Sequence, residues 1–427
     1  ELRTRPGELY SREMIMATMR ELSQMKHFNP ETVGSGLNIS PVTNEKVDIS
    51  WNLEETPSDQ FEISGGVGGS MFVGSVGVQR NTLSIRRRVE KGAWRPYPSG
   101  QNQSLAIRAQ TNGTYYKAFS LSFMEPWLGG KKPISLSISS YYSDQNDATY
   151  AWQKANRYFR TLGISAGIGR RLTWPDPYFT LYMGLNFQSY NMKDWYDFVV
   201  QNGSSNIVSF NAVFGRNSVD NPIYPRSGSD FSVSLTLTPP YSLWDGKDYS
   251  DPDLSNNQRY KWIEYHKWVA KGSWFTTLGN SNKWVVMAKA ELGYLGYYDR
   301  FKKSPFEGFD VGGSGMSGYN VYGVDIVGLR GYEDGALTPN TDTKYASVYN
   351  KYTIELRYPF ILQGGTQIYG LAFIEGGNAY DGWKNFNPFQ IKRAAGVGIR
   401  VNLQIVGMLG VDWGYGFDKP NNGTTNK

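Results

Sequence analysis

The sequence predicts an all-β transmembrane barrel behind a small α/β piece, on three observations. From residue 59 onward the chain is a series of fifteen period-2 segments, many of them about 9–14 residues long. That length suits a tilted strand crossing a bilayer and exceeds the roughly five or six residues usual in soluble sheets. Aromatic residues make up 15% of the 427, with 13 Trp, 30 Tyr and 48 Gly, as suits a barrel with aromatic belts at the headgroups and glycines in turns and tight pairings. Mean hydropathy is −0.48, and no run of about 18 apolar residues marks a membrane helix. The low mean is compatible with a barrel, because lipid-facing and lumen-facing residues alternate and average out.

Residues 1–56 read as the α/β piece. Pro6-Gly7 makes a turn and Ser11 is placed to cap a helix, along which Met14, Ile15, Thr18, Met19 and Leu22 recur at helical spacing. Asn29-Pro30 ends that helix. Two strands follow, near 36–42 and 46–54, the second alternating as Val47, Ile49, Trp51 and Leu53. One helix and two strands are too little for an independent core, so the piece reads as the tail of a domain. Glu1-Leu2-Arg3 reads as an internal cut with sequence missing upstream. Glu54-Glu55-Thr56-Pro57-Ser58 is the linker, and residues 57–427 form the barrel.

The period-2 segments are 60–67, 71–80, 103–112, 115–125, 132–143, 157–169, 177–190, 206–216, 229–239, 260–275, 283–298, 347–360, 366–378, 391–403 and 407–417. If the first strand rises from the small domain, connectors after even-numbered strands are short periplasmic turns: 126–131, 172–177, 217–228, 279–282, 361–365 and 404–406. Several of the opposite set are long: 144–156, 191–205, 240–259, 299–346 and 379–390. Residues 81–102 break the rule; they carry Arg86-Arg87-Arg88, Trp94 and Tyr97, and read either as an inner-interface segment or as a solvated insertion. Single-chain bacterial barrels have even strand numbers, and an open edge in hydrocarbon costs several kcal/mol per unpaired group. About fifteen strands are present where sixteen are expected, so a descending strand is expected beyond Lys427.

Composition removes several chemistries. Cysteine is absent, which excludes disulfides, thiolate metal sites and Cys nucleophiles. His27 and His266 are the two imidazoles, and His266 sits beside Tyr265 and Trp268 as in an interfacial aromatic cluster. The net charge of +6 is consistent with ordinary solubility or with anionic lipid headgroups. Gly313-Ser314-Gly315-Met316-Ser317-Gly318 fits a dinucleotide fingerprint, but no helix follows it. Asp245, Asp248, Asp251 and Asp253 share a loop without EF-hand spacing and read as solvated. No Gly-x-Ser-x-Gly elbow or His-Glu-x-x-His pair occurs. The expectation is a non-enzymatic protein with no metal, cofactor or nucleic-acid partner.

Leu329-Arg330-Gly331-Tyr332 lies in the Gly-rich connector 299–346. An arginine there is either exposed or tucked into a polar lumen, where a partly desolvated guanidinium needs a carboxylate and bidentate geometry favours Arg over Lys. Gln60, Phe61, Glu62, Ile63, Ser64, Gly65, Gly66 and Val67 form the first barrel segment, with Gly68-Gly69 after it. Four glycines in five positions weaken pairing. They read either as a frail edge able to accept another strand or as a tight hairpin.

The chain resembles, essentially throughout, the outer-membrane protein assembly factor (BamA) family. Arg5-Pro6-Gly7-Glu8-Leu9-Tyr10-Ser11-Arg12, Leu22 and Phe28-Asn29-Pro30 look like the last of that family's POTRA domains, and residues 47–55 look like its final strand. Leu329-Arg330-Gly331-Tyr332 is similar to the family's Val-Arg-Gly-aromatic loop motif, with Leu replacing Val. Phe373-Ile374-Glu375-Gly376-Gly377 is similar to its Phe-x-Asp-x-Gly strand motif, with Glu lengthening the reach by one methylene. The resemblance implies a sixteen-strand barrel whose loop folds inside, so that Arg330 meets Glu375, with Glu355 the second candidate and Phe373 and Gly377 close by. It also implies a lateral gate at the first strand and insertion of β-barrel proteins into the bacterial outer membrane, with the N-terminal domain in the periplasm. Partners would be nascent outer-membrane proteins, accessory lipoproteins, lipid and lipopolysaccharide. The alternatives are a two-partner secretion or translocation-and-assembly barrel, which shares the loop motif, a passive porin or receptor, and an outer-membrane lipase, for which no Ser/His pair is marked by spacing.

Overall fold

Alternation of apolar and polar residues decides which face of each strand meets which medium. In the computed structural model the chain is described except for residues 1, 3, 25–27, 29, 44, 55–59, 69–70, 85–102, 112–114, 130–132, 148–153, 196–198, 222, 280–282, 316–322, 340–344, 363–365, 404–406 and 422–427. It divides into two compact units, Glu1–Glu62 with Val78–Leu105, and Ile63–Gly77 with Ala106–Lys427. His27, Gly69, Arg86, Arg87, Arg88, Trp94, Tyr97 and the expected domain boundary at 56/57 lie outside the described residues.

The first unit begins with helix α1 (Arg12–Gln24), whose Met14 amide donates to the Ser11 hydroxyl at 3.3 Å. Ile15, Thr18 and Leu22 are buried, whereas Met14 faces outward. Pro30 opens a second helix, α2 (Pro30–Ser35), where the sequence reading has a stop. Proline suits a first helical position because its missing N–H would be unpaired there anyway. Strands β1 (Leu37–Thr43) and β2 (Lys46–Trp51) then pair antiparallel.

The large sheet has fifteen strands, and each expected period-2 segment contains one. They are β3 (Gln60–Gly68), β4 (Met71–Leu83), β5 (Gln103–Thr111), β6 (Tyr116–Glu125), β7 (Ile134–Asn146), β8 (Tyr158–Arg171), β9 (Phe179–Lys193), β10 (Gly203–Asn217), β11 (Gly228–Leu237), β12 (His266–Leu278) and β13 (Trp284–Gly296). After the strand pair described below come β16 (Val348–Ile361), β17 (Thr366–Tyr380), β18 (Lys392–Leu403) and β19 (Gly407–Gly416). Pairing is sequential from β3 to β13 and continues through β16 to β19. Among the described residues no pairing joins β3 to β19.

On β8, Leu162, Ile164 and Ile168 are exposed while Phe159, Thr161 and Gly163 are buried. On β16, Tyr352, Ile354 and Leu356 face out and Thr353 and Glu355 face in. Apolar residues outside and polar residues inside are the reverse of a water-soluble sheet and fit a wall set in lipid. Gly163 lies opposite Tyr141, whose ring would be 2.0 Å from any added Cβ, so glycine makes room for a tyrosine ring on the inner face.

Two departures from the sequence reading occur in the connectors. Segment 260–275 becomes a strand only at His266. Residues 261–263 instead run beside β10, with the Asn206 amide donating to the Lys261 carbonyl and the Ile263 amide to the Asn206 carbonyl, both at 2.9 Å. Tyr260, Ile263 and Tyr265 then join Phe159, Tyr190, Trp195 and Phe306 in one buried cluster. The other departure is a parallel pair inside the long connector, β14 (Gly308–Val311) and β15 (Val324–Val327). Four residues are too few to show a period, so no alternation marks either strand.

Lipid exposure of the outer face is testable at Leu185, which is 63% exposed on β9. Leu185→Arg is expected to lower stability by about 2–4 kcal/mol in a denaturant titration in lipid vesicles. A loss under about 0.5 kcal/mol, as at an ordinary water-exposed position, would contradict a lipid-facing wall.

Candidate functional site

The connector between β13 and β16 returns to the inner face of the wall, and short-range packing fixes its path. Leu329 is fully buried with Val311, Val327, Ala379 and Ala394, and its Cδ1 lies 3.5 Å from where a Cβ on Gly377 would stand. Gly331 has φ +92°, and a Cβ there would come within 2.8 Å of the Tyr415 backbone. Only glycine meets both the left-handed conformation and the close approach without strain. Tyr332 is buried; its hydroxyl donates to the Arg393 carbonyl at 2.8 Å and accepts from the Asp418 amide at 3.3 Å.

These contacts aim Arg330 at a cluster of carboxylates. Its backbone amide donates to Glu375 Oε2 at 2.9 Å, and Nε and Nη2 donate to Glu375 Oε1 at 3.1 and 2.6 Å. Nη2 also donates to Glu355 Oε1 at 2.7 Å, and Nη1 to Asp412 Oδ2 at 3.3 Å. The guanidinium carbon lies 3.6 Å from the Phe373 ring centroid. Burial alone would depress the arginine's pKa, but the hydrogen bonds and charges of Glu375 and Glu355 raise it above the ordinary value. Arg330 is therefore a permanent cation clasped by three strands, β16, β17 and β19.

The acids are themselves shared. Glu355 accepts from Arg357 at 2.7 Å, Asp412 from Arg400 at 2.6 Å, and Lys351 stands 3.3 Å from Glu375. Thr353 donates to Glu375 at 3.2 Å, and Lys351 also donates to the Gly328 carbonyl at 2.6 Å. A second clasp holds the same connector further along the wall: Lys267 on β12 pairs with Glu307 at 3.1 Å and Asp325 at 3.2 Å and donates to the Gly323 carbonyl at 2.9 Å.

The structure thus brings Leu329, Arg330, Gly331 and Tyr332 together with Glu375, Glu355, Phe373 and Gly377. Sequence reasoning missed Asp412, Arg357, Arg400, Lys351 and Lys267. One signal was available for Asp412: it shares inward parity between Val411 and Trp413, which are 71% and 68% exposed, and a lone charge at such a position calls for a lumen partner. For the gate, the structure describes Gln60, Phe61, Glu62, Ile63, Ser64, Gly65, Gly66 and Val67 as strand, while their side chains lie outside the described residues.

The remaining candidates take bland places. Asp248 accepts from Ser250 and Asp251 from the Asp253 amide, as in ordinary turns. Asp245 accepts from the Lys247 amide and the Tyr249 hydroxyl. His266 Nδ1 accepts from the Trp268 indole at 3.1 Å, and its ring packs against Tyr294 and Tyr298. Gly313 and Gly315 take positive φ of +70° and +74° where the connector turns, and residues 316–322, on which the absence of a following helix turns, lie outside the described residues.

Comparison with known proteins places this geometry in a family. The model of the Omp85 superfamily domain matches residues 99–427. Over 337 residues the chain is 25% identical to the outer membrane protein assembly factor BamA of Neisseria meningitidis serogroup B; the match covers 74% of this chain and 34% of that protein, so the chain spans about a third of that relative's length. Among solved structures it is similar to BamA from Haemophilus ducreyi lacking POTRA domains 1–3, with TM-score 0.58 and 18% identity over 98% of this chain and 77% of that one. It is also similar to CdiB from Escherichia coli, with TM-score 0.51 and 13% identity over 90% and 64% of the two chains. CdiB from Acinetobacter baumannii gives 0.53 and 11% over 100% and 68%. At these identities the structural likenesses speak for the fold alone. With its fifteen-stranded antiparallel wall and a family match over well over half its length, this chain belongs to the Omp85 superfamily and is a BamA-like outer-membrane β-barrel.

Proposed function

We propose that this barrel is the central insertase of a barrel assembly machinery, folding β-barrel proteins into the bacterial outer membrane by templating their strands at a lateral gate. The observation that carries the reading is the Arg330 clasp. It seats a long connector against β16, β17 and β19, on the last strands of the sheet order. An occupied lumen suits a machine that works at its wall better than a passive pore. Identity of 25% to an assembly factor over 74% of the chain favours insertion over the two-partner secretion and translocation-and-assembly alternatives.

In this mechanism β3 is the working edge. Its Gly65-Gly66-Val67-Gly68 run gives few cross-strand side-chain contacts, so its pairing is cheap to open. An incoming strand pairs with the freed backbone, and successive hairpins enter with their hydrogen bonds satisfied at each stage, which removes the several kcal/mol that each unpaired group costs in lipid. A short hydrophobic belt near the seam would thin the bilayer and lower the barrier further. Residues 1–56 would be the end of the last POTRA domain, on the periplasmic side, where accessory lipoproteins and nascent outer-membrane proteins arrive. Lipid and lipopolysaccharide would complete the set of partners.

Two experiments test this reading. Arg330→Ala strands three carboxylates without their shared cation, and removing one partner of a buried ion pair costs about 3–5 kcal/mol. Insertion of a client barrel into vesicles should fall at least about tenfold, with Arg330→Lys intermediate because a point charge replaces a bidentate one. Unchanged insertion in both variants would sink the reading. Ile63→Cys should form a disulfide with a cysteine in the terminal strand of a nascent client. Leu185→Cys, on β9 in the middle of the strand order, should form none. Equal trapping at both positions would rule out a gate at β3.

A further inference from the structure

The turn between β10 and β11 reaches the wall beneath the Arg330 clasp. Asn221 Oδ1 accepts from the amides of Ile223 and Tyr224 at 2.8 and 3.0 Å, and Asp220 Oδ1 accepts from those of Arg226 and Ser227 at 2.9 and 3.1 Å. The turn is thereby internally braced. Asn221, Arg226 and Ser227 are exposed, yet Tyr224 is only 2% exposed. Its ring meets Tyr369 edge-on, with centroids 5.1 Å apart, and its hydroxyl donates to the Lys283 carbonyl of the neighbouring turn at 3.0 Å. Tyr224 belongs to one buried cluster with Val285, Tyr369, Leu371 and Phe373.

Phe373 is the ring beneath the Arg330 guanidinium. A second line of contacts starts from the same turn. Val219 packs with Phe275 and Met287, the Met287 sulfur accepts from Arg357 at 3.0 Å, and Arg357 holds Glu355, the second carboxylate of the clasp. Both lines run from one connector to the two sides of one cation.

We infer that the turn formed by residues 218–221 and 223–227 is a prop for the Arg330 seat, with Tyr224 as a positioning residue that acts through Tyr369 and Phe373. By the alternation of connectors this turn lies on the periplasmic side, opposite the origin of the long loop. Displacing it from that side frees Phe373 to tilt, and the loop then loses the face on which its arginine rests. This coupling rests on the reading of the Arg330 clasp as a working part, and it adds a second place from which the clasp is set. Losing both the ring packing and the burial of Tyr224 is expected to shift a local opening equilibrium about tenfold, equivalent to about 1.4 kcal/mol.

The test is hydrogen exchange on the whole chain in lipid vesicles, read at the Arg330 amide, which donates to Glu375, and at the amides of β17 as the control. Tyr224→Ala should speed exchange at Arg330 about tenfold and leave β17 unchanged, while Tyr224→Phe, which keeps the ring, should restore the native rate to within about twofold. Tyr224→Leu serves in place of alanine if that variant fails to insert. Unchanged exchange at Arg330, equal acceleration in β17, or a phenylalanine variant as fast as the truncated one would each overturn the proposal. Client insertion measured alongside separates the two readings. Normal insertion by Arg330→Ala with fast exchange in Tyr224→Ala removes the insertase reading and keeps the prop. Defective insertion by Arg330→Ala with unchanged exchange in Tyr224→Ala does the opposite.

Discussion

One guanidinium holds the interior of this barrel together. Taking Arg330 out of water costs several kcal/mol, and only close carboxylates in good geometry offset that cost. Glu375 meets it through three donors, one from the backbone, and Glu355 and Asp412 take the remaining edges. The face of the ion lies on Phe373. Because the three acids sit on three different strands, the loop is tied to a stretch of wall and not to a single point.

That clasp constrains everything around it. Gly331 has to be glycine to pass the Tyr415 backbone, and Leu329 needs a neighbour without a side chain at Gly377. Arg357, Arg400 and Lys351 are required in turn, since three carboxylates facing one arginine would otherwise repel each other. The Lys267 clasp on Glu307 and Asp325 repeats the device where β15 begins, so the connector is pinned at two places along the wall. Further out, the buried Lys302 is held against Glu264 at 3.5 Å and donates to the Tyr249 hydroxyl at 2.9 Å, and burial lowers its pKa below the ordinary lysine value. Charges that cannot be hydrated are paired at each level.

Legibility followed the physics of each feature. Long alternation is a local signal, and fifteen strands could be placed from it because lipid outside and water inside impose opposite demands on neighbouring residues. The parallel pair β14 and β15 left no such trace, since it is held by the wall around it and not by its own pattern. The first helix does end before Asn29-Pro30, as read, but Pro30 also opens a second helix that the sequence reading lacked, because proline serves both ends of a helix and only the following residues decide. Within the site, the motif residues stood out by resemblance, while Asp412 reaches Arg330 across 82 residues of chain, and Arg357 and Arg400 enter the site only through the acids they hold, Glu355 and Asp412.

By itself the sequence determined the medium: long alternating faces and abundant aromatic residues specify a wall between lipid and water. It also determined that Arg330 would need an acid if it were buried. Glu375, Glu355 and Phe373 were named by resemblance; only the tertiary structure added Asp412 and the turn that converge on that arginine. Those neighbours are set by strand register and by the return path of a long loop, and both are long-range pairings that leave no period in the chain.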